Sequence, residues 1–188
     1  MSAHDPYTLP PGLPAPEDDG AADHLTGAEL PHLLLESSQG PVDVAELDVL
    51  YVYPRTGKPG EPSLPGWDDT PGARGCTPQS CGFRDHAAEL ADLGAPRVAG
   101  LSAQSLADQV EFAGRNHMPF PVISDPELRL RDLLGLPTFE IHGHTLYKRL
   151  AIVAVGGWIA KVFYPVFPPD RSARDVVDWL RARATVPG

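Results

Sequence analysis

The segment Asp48-Val49-Leu50-Tyr51-Val52-Tyr53 is a short run of β-forming residues that ends at Pro54. Apart from Asp48 it contains no charged residue, which is typical of a strand that is buried within a sheet. A run of this length, closed by proline, favours a strand over a helix. The sequence therefore predicts that this segment is the central strand of the fold.

A helix and another strand follow this central strand along the chain. Thr77 suits the N-cap of the helix and Pro78 its first position, because proline lacks the N–H group that would be unpaired there. The apolar residues on one face of the helix are Phe83, Ala87, Leu90 and Leu93. Gly94 ends this helix, and residues 97–101 indicate the next strand. This order makes a βαβ crossover, so the two strands should be parallel.

The rest of the chain continues as helices and strands. We expect two short strands between residues 30 and 47, a helix from Ser102, a strand at residues 121–124, a helix from Asp125, a hairpin of residues 146–155 and 158–164, and a last helix capped by Asp170. A crossover half followed by a hairpin and a helix is the arrangement of a thioredoxin-like α/β fold, with a central mixed sheet flanked by helices.

Two stretches of the chain have the pattern of neither a helix nor a strand. Residues 1–28 are rich in proline and acidic residues and contain little apolar surface, which predicts a mobile arm ahead of a thioredoxin-like domain at residues 29–188. Residues 57–75 contain four prolines and five glycines, which predicts a long loop. Trp67 either anchors this loop against the domain or lies half exposed on its surface.

The composition limits the classes of function open to the chain. Its 188 residues are enough to bury a core without a disulfide or a metal, so the two cysteines are more useful for chemistry than for stability. A net charge of -10 argues against nucleic acid and anionic membranes as partners, because both require dense Lys and Arg. The sequence shows no pattern of a signal peptide or of a transmembrane helix. We therefore expect a cytoplasmic protein in a reducing compartment.

Cys76 and Cys81 lie five positions apart at the start of the predicted helix. At that end, unpaired N–H groups and the helix dipole favour a thiolate over a thiol at Cys76. Five residues of helix rise about 7.5 Å, which is more than the ~7 Å between α-carbons that a disulfide spans. A disulfide would therefore require the first turns to unwind, and we expect a folded reduced state and a locally unfolded oxidised state.

Several motifs together resemble one known family. They are Tyr51-Val52-Tyr53-Pro54, Gly75-Cys76-Thr77, Cys81-Gly82-Phe83-Arg84-Asp85, and Arg149 on a strand before the Gly156-Gly157 turn. Across residues 28–183 the chain resembles the peroxiredoxins of the bacterioferritin-comigratory, or Q, type. The most specific element is Cys-Thr-x-x-x-Cys-x-Phe-Arg-Asp, because the Cys-x-x-Cys proteins of the thioredoxin type do not share this spacing.

The resemblance implies a thiol-dependent peroxidase. Cys76 would attack the O–O bond of hydrogen peroxide or an organic hydroperoxide and become a sulfenic acid. Cys81 would then resolve it into an intramolecular disulfide, which a thioredoxin-like electron donor would reduce. Arg149 matches the family's arginine, which stays beside the thiolate and polarises the peroxide. The family needs no metal and no organic cofactor, and the sequence is compatible with a monomer or a homodimer.

The chain departs from the family just before Cys76. The family usually has Pro-x-x-x-Thr-x-x-Cys, where the threonine hydroxyl bonds the thiolate and the peroxide and the proline shields the site. Here Ala73 stands three positions before Cys76 and Asp69 seven positions before it. Either Thr70 reaches the site, or Thr70 is only a turn residue and a backbone group replaces the hydroxyl. Pro54 is the candidate for the shielding proline.

Two other functions also use a pair of cysteines at a helix N-terminus. A thiol–disulfide oxidoreductase that acts on proteins would reduce insulin rather than consume peroxide rapidly. A non-enzymatic redox sensor would stop after one equivalent of peroxide, even with excess reductant present. Both functions remain alternatives to the peroxidase.

Overall fold

The computed structural model describes residues 5–185, and residues 1–4 and 186–188 lie outside the described part. Its main sheet has five strands, which are β3 (Val49–Val52), β4 (Val98–Ser102), β5 (Val122–Ser124), β8 (Leu150–Val155) and β9 (Trp158–Phe163). Their order across the sheet is β5-β4-β3-β8-β9. Strand β3 lies in the middle, parallel to β4 and antiparallel to β8. The predictions of a mixed sheet and of a central strand at this place are confirmed.

Five α-helices and two small hairpins complete the described chain. The helices are α1 (Cys76–Asp85), α2 (Ala87–Asp92), α3 (Leu106–Arg115), α4 (Arg129–Leu134) and α5 (Ser172–Ala184). Strand β1 (Leu34–Leu35) pairs with β2 (Val42–Asp43), and β6 (Thr138–Ile141) pairs with β7 (His144–Tyr147), both antiparallel. Within residues 5–185, every helix is too short or too polar to cross a membrane.

Helices and loops cover the two faces of the sheet, and the alternation of side chains along β3 shows the division. Val49 and Tyr51 point to one side, where they are buried against α1, α2, α3 and α5. Leu50 and Val52 point to the other side, where α4 and the apolar residues of segment 22–47 cover them. Because all four residues are at most 1% exposed, the strand has the continuous apolar character that the sequence showed.

Helix α1 begins one residue before the predicted N-cap. The cap is Gly75 in a left-handed conformation, so Cys76 is the first helical residue. The Thr77 side chain does not cap the helix, because its hydroxyl is buried without a hydrogen-bond partner among the described residues. Pro78 still lies within the first turn, where the missing N–H costs nothing. The helix is also interrupted at His86, so the predicted single helix is two helices.

Four other predicted boundaries are corrected by the structure. Ser102 ends β4, and the cap of α3 is Ser105, whose hydroxyl accepts the N–H of Asp108 at 3.2 Å. Residues 146–147 belong to β7, so the long hairpin begins at Leu150. Asp170 lies in a 3-10 turn (Pro169–Arg171) and does not cap α5. The helix predicted from Asp125 begins at Arg129, where the Asp125 carboxylate accepts the N–H groups of Arg129 and Leu130, both at 2.9 Å.

The described part of the N-terminal segment is packed against the domain. Leu25 is fully buried and Ala22 is 5% exposed. The N–H groups of Gly27 and Leu30 donate to the carbonyls of Ile159 and Gly157, both at 2.8 Å. The segment therefore lies along the outer edge of β9 and covers part of the sheet.

The long loop at residues 57–75 contains neither helix nor strand, as predicted. Of the two readings of Trp67, the structure supports the anchor, because the side chain is 6% exposed and packs with Ala73 and Leu146. Its ring centroid lies 6.5 Å from that of Phe139. This anchor on the β6–β7 hairpin fixes the part of the loop that leads into α1.

Candidate active site

The candidate active site forms where β3 ends and α1 begins. The sheet register sets Val52, at the end of β3, opposite Leu150, at the start of β8. Arg149 is therefore held beside the carboxyl end of the central strand, which is where α/β folds commonly place their sites. The loop at residues 57–75 returns the chain to the same end, so that Cys76 starts its helix there.

The sulfur of Cys76 is the centre of this site. The residue is 3% exposed. The backbone N–H of Arg55 points at Sγ from 3.4 Å, and Nη2 of Arg149 lies 3.3 Å from it. As a thiol, Cys76 donates to the carbonyl of Ala73 at 3.6 Å. Two donors and the N-terminus of α1 therefore converge on one sulfur atom, and this arrangement stabilises negative charge there.

Arg149 is itself buried, at 3% exposure, and is held by neutral acceptors. Its Nη1 donates to Oε1 of Gln79 at 2.6 Å. Its Nη2 donates to three carbonyls at 3.1–3.2 Å, those of Gly72, Ala73 and Arg74. Since none of these acceptors carries a full charge, the positive charge of the guanidinium is left to act on the sulfur.

Gly75 makes the close approach of the chain to Cys76 possible. Its φ is +106°, a conformation that residues with a side chain rarely adopt. A Cβ at this position would lie 2.2 Å from Cγ of Pro169. Any other residue at position 75 would therefore displace either the start of α1 or the turn that carries Pro169.

A cavity of about 10 Å³ opens at Cys76. The cavity is lined by the N-terminal segment, by the loop between β3 and α1, and by the first two residues of α1. The lining residues are Pro6, Arg55, Gly57, Trp67, Arg74, Gly75, Cys76 and Thr77. This is about the room of one water-sized molecule. The cavity therefore suits a very small substrate.

Thr70 and Pro54, the predicted substrate-binding residues, occupy different places relative to the sulfur. The Thr70 hydroxyl donates to the carbonyl of Gly66 at 2.8 Å, within its own loop. The structure thus favours the second alternative, in which Thr70 is a turn residue and a backbone donor, the N–H of Arg55, reaches the sulfur. Pro54 is buried and directly precedes Arg55, so it lies beside this donor.

The Redoxin family model matches residues 27–178, which is most of the chain. The chain belongs to the Redoxin family. This redoxin is 25% identical to the chloroplastic peroxiredoxin Q of Sedum lineare over 177 residues, covering 92% of this chain and 86% of that protein. It is 27% identical to the chloroplastic peroxiredoxin Q of Arabidopsis thaliana over 134 residues, covering 71% of this chain but only 54% of that protein.

A solved structure shows the same likeness in three dimensions. The crystal structure of peroxidoxin BcpB from Mycobacterium tuberculosis superimposes with a TM-score of 0.66 at 25% identity, covering 84% of this chain and 96% of that chain. The predictions of the thioredoxin-like fold and of a peroxiredoxin of the bacterioferritin-comigratory or Q type are confirmed. This redoxin is accordingly an enzyme of the thiol-dependent peroxidase class.

Cys81, the predicted partner of Cys76, lies in the same continuous helix of this redoxin, and both cysteines are free. Its Sγ is 3.9 Å from Oδ1 of Asn116, at the end of α3. Burial, and then the charge of Asp85, raise the pKa of the Cys81 thiol, while Arg84 and Arg115 lower it. In this state Cys81 is therefore held as a protonated thiol, away from Cys76.

The sequence does not mark two residues of the site, Gln79 and Arg55. Gln79 is fully buried and joins Arg149 to Ser172, whose Oγ accepts from Gln79 Nε2 at 3.2 Å. Its position three residues after Cys76 placed it on the helix, but nothing in the sequence linked it to a residue 70 positions away. Arg55 acts through its backbone N–H, and the identity of a residue does not reveal such a role.

Within residues 5–185, no three metal-ligating side chains are grouped to hold a metal ion.

Proposed function

We propose that this redoxin reduces hydroperoxides through a cysteine cycle in which Cys76 attacks, Cys81 resolves and Arg149 polarises the oxygen. The observation that supports this most strongly is the buried guanidinium of Arg149, 3.3 Å from Cys76 Sγ and held only by neutral acceptors. A buried cation beside a cysteine at a helix N-terminus is the environment that produces a reactive thiolate.

In the first step, the Cys76 thiolate attacks the terminal oxygen of the hydroperoxide. An S–O bond forms as the O–O bond breaks, and the second oxygen leaves with the electron pair and takes up a proton, giving water or an alcohol. Negative charge moves from the sulfur to the leaving oxygen in this step. The Arg55 N–H and Arg149 Nη2 are placed to stabilise that charge without reorganising, because the fold holds them in position.

In the second step, the Cys81 sulfur attacks the sulfenic acid. An S–S bond forms, and the hydroxyl group leaves as water with the proton from Cys81. The geometry of α1 requires its first turns to unwind for this step. Phe83 can hold the rest of the helix meanwhile, because its ring stacks on Tyr51 at 4.4 Å with an interplanar angle of 4°.

A dithiol reductant must then restore both cysteines, and we propose a thioredoxin-like protein in a reducing compartment such as the cytoplasm. The disulfide is exposed to such a partner when α1 is unwound. A thiol–disulfide oxidoreductase acting on folded protein substrates fits less well, because Cys76 is 3% exposed and its cavity of about 10 Å³ admits no protein disulfide.

The Cys81→Ser variant tests the cycle. After one equivalent of hydrogen peroxide, we expect a sulfenic acid at Cys76, which condenses with dimedone with loss of water and is detected by mass spectrometry as a dimedone thioether on Cys76. The wild-type protein should instead lose two hydrogens and form the Cys76–Cys81 disulfide. With thioredoxin and its reductase, the variant should turn over at least about tenfold more slowly, because it lacks the resolving thiol. A Cys81→Ser protein that forms no sulfenic acid would contradict the proposal.

A further prediction concerns Gln79 as a positioning residue for Arg149. We expect Gln79→Leu to lower kcat/KM for peroxide about tenfold, because it removes the hydrogen bond that aims Nη1 and thereby loosens Nη2 at the sulfur. Gln79→Glu keeps an accepting oxygen for Nη1 but places a full negative charge on the guanidinium, so it should also lower kcat/KM for peroxide. Thermal unfolding of both variants separates this effect from a loss of stability. If each variant has the wild-type kcat/KM for peroxide once the value is corrected for its folded fraction, Gln79 is only structural.

A further inference from the structure

Residues 5–19, which we name the N-terminal strap, lie across the active site. Pro6 lines the cavity at Cys76, while Leu13 and Pro14 line a neighbouring crevice together with Arg149. The match to the Redoxin family begins only at residue 27. The strap therefore lies ahead of the residues that the family model matches.

Arg74 ties the strap to the segment that leads into Cys76. Its Nη2 donates to the carbonyls of Asp5 at 2.6 Å and of Thr8 at 3.2 Å, while its Nη1 donates to the carboxylate of Asp68. The carbonyl of Arg74 in turn accepts from Arg149. One arginine that is 9% exposed thus joins the strap to the loop and to the site.

Tyr7 and Asp19 provide two further anchors of the strap. The Tyr7 hydroxyl accepts from Nη1 of Arg115 at 2.8 Å, and the guanidinium of Arg115 lies 5.9 Å from the centre of the Tyr7 ring. At the other end, the Asp19 carboxylate accepts from Lys148 and from Tyr164, each at 2.7 Å. These two contacts lower the pKa of Asp19 well below its usual range, so this anchor is charged at neutral pH.

Between these anchors, the strap packs on the two glycines that precede Cys76. A Cβ at Gly75 would lie 3.0 Å from Cδ2 of Leu9, and one at Gly72 would lie 3.5 Å from Cβ of Pro16. The strap therefore follows the backbone at close range where it approaches the sulfur, and Pro6 closes one wall of the cavity.

We propose that the N-terminal strap makes Cys76 selective for hydrogen peroxide over bulky organic hydroperoxides. The inference rests on the proposed peroxidase function. In attack on the terminal oxygen, any organic group is bonded to the leaving oxygen and lies on the far side of the O–O bond from the sulfur. Hydrogen peroxide carries only a hydrogen there and suits a cavity of about 10 Å³, whereas a larger group meets the walls, which include Pro6.

The test loosens the strap in the full chain with the double variant Tyr7→Ala/Leu9→Ala, neither residue being part of the catalytic machinery. The probes are hydrogen peroxide and cumene hydroperoxide, with kcat/KM measured for each. We expect kcat/KM for cumene hydroperoxide to rise about tenfold, while the value for hydrogen peroxide changes by less than about twofold. Hydrogen exchange of residues 5–19 should become faster in the same variant.

Two control variants complete the experiment. Tyr7→Phe keeps the aromatic ring over Arg115. It should therefore raise kcat/KM for cumene hydroperoxide less than the double variant does. Leu133→Ala, an exposed leucine on α4, should change neither value. Unchanged selectivity in a double variant with faster exchange would overturn the proposal. Unchanged exchange would also overturn it, because Tyr7 and Leu9 would not be holding the strap. A wild-type protein without turnover of hydrogen peroxide would refute the peroxidase function instead.

Discussion

Replacing Cys76 by serine should lower the rate of peroxide consumption by at least about 10³-fold, because removal of a nucleophile costs far more than removal of a group that assists it. A serine hydroxyl stays protonated in this site, so the N–H of Arg55 and the guanidinium of Arg149 have no anion to activate. The measurement is steady-state peroxide consumption with thioredoxin, thioredoxin reductase and NADPH. The fold should be unchanged, since an oxygen replaces a sulfur of similar shape.

The matching control is the oxidation state of Cys81 in the Cys76→Ser protein. Burial raises the pKa of its thiol, so we expect Cys81 to react with peroxide no faster than an ordinary protected thiol. Rapid formation of sulfenic acid on Cys81, with turnover retained, would reverse the roles assigned to the two cysteines. Comparison with Cys81→Ser then shows which sulfur attacks and which resolves.

The order of helices and strands could be predicted because its signals are local. The run from Asp48 to Tyr53 is apolar, short and closed by proline, and this combination predicts a buried strand without knowledge of its neighbours. The Gly156-Gly157 pair likewise predicts a hairpin from the turn alone, and the structure confirms it. The pairing of Cys76 with Arg149 came from the resemblance to a family, since nothing local joins residues 73 positions apart.

The start of α1 shows why boundaries are harder to predict than elements. Thr77 and Pro78 form a good start signal, yet the helix begins at Cys76 because Gly75 turns in a left-handed conformation against Pro169. That contact joins two distant parts of the chain. Local helix propensity does not include a contact of this kind. The one-residue difference places Cys76 itself at the first helical position.

The contacts of the N-terminal strap could not be predicted for a similar reason. Its composition, rich in proline and acidic residues, offers little apolar surface, and such segments are often without fixed contacts. Here the Asp19 carboxylate accepts hydrogen bonds from Lys148 and Tyr164. The carbonyls of Asp5 and Thr8 accept hydrogen bonds from Arg74. A segment that cannot form its own core is thus held by polar contacts supplied by the domain, and composition does not reveal such partners.

Replacing Arg149 by methionine should lower kcat/KM for peroxide by about 10²–10³-fold, the cost of removing one donor that stabilises charge in a transition state. The arginine provides the only side-chain cation in contact with the sulfur among residues 5–185. Arg149→Lys keeps the charge but not the fork, so it cannot contact both Gln79 and Cys76 in the same way. We expect its activity to lie between those of the wild type and the methionine variant.

Stability must be separated from chemistry in these two variants. Loss of the guanidinium leaves the carbonyls of Gly72, Ala73 and Arg74 without this donor, and an unpaired buried polar group costs about 1–3 kcal/mol. Rates are therefore compared below the unfolding transition of each protein, as sulfenic acid formation in a single turnover on a Cys81→Ser background. An unchanged single-turnover rate in Arg149→Met would show that the arginine braces the loop before Cys76 and takes no part in peroxide reduction. A rate that falls while Arg149→Lys restores part of it would assign the charge itself to catalysis, because both variants lose the same fork of hydrogen bonds.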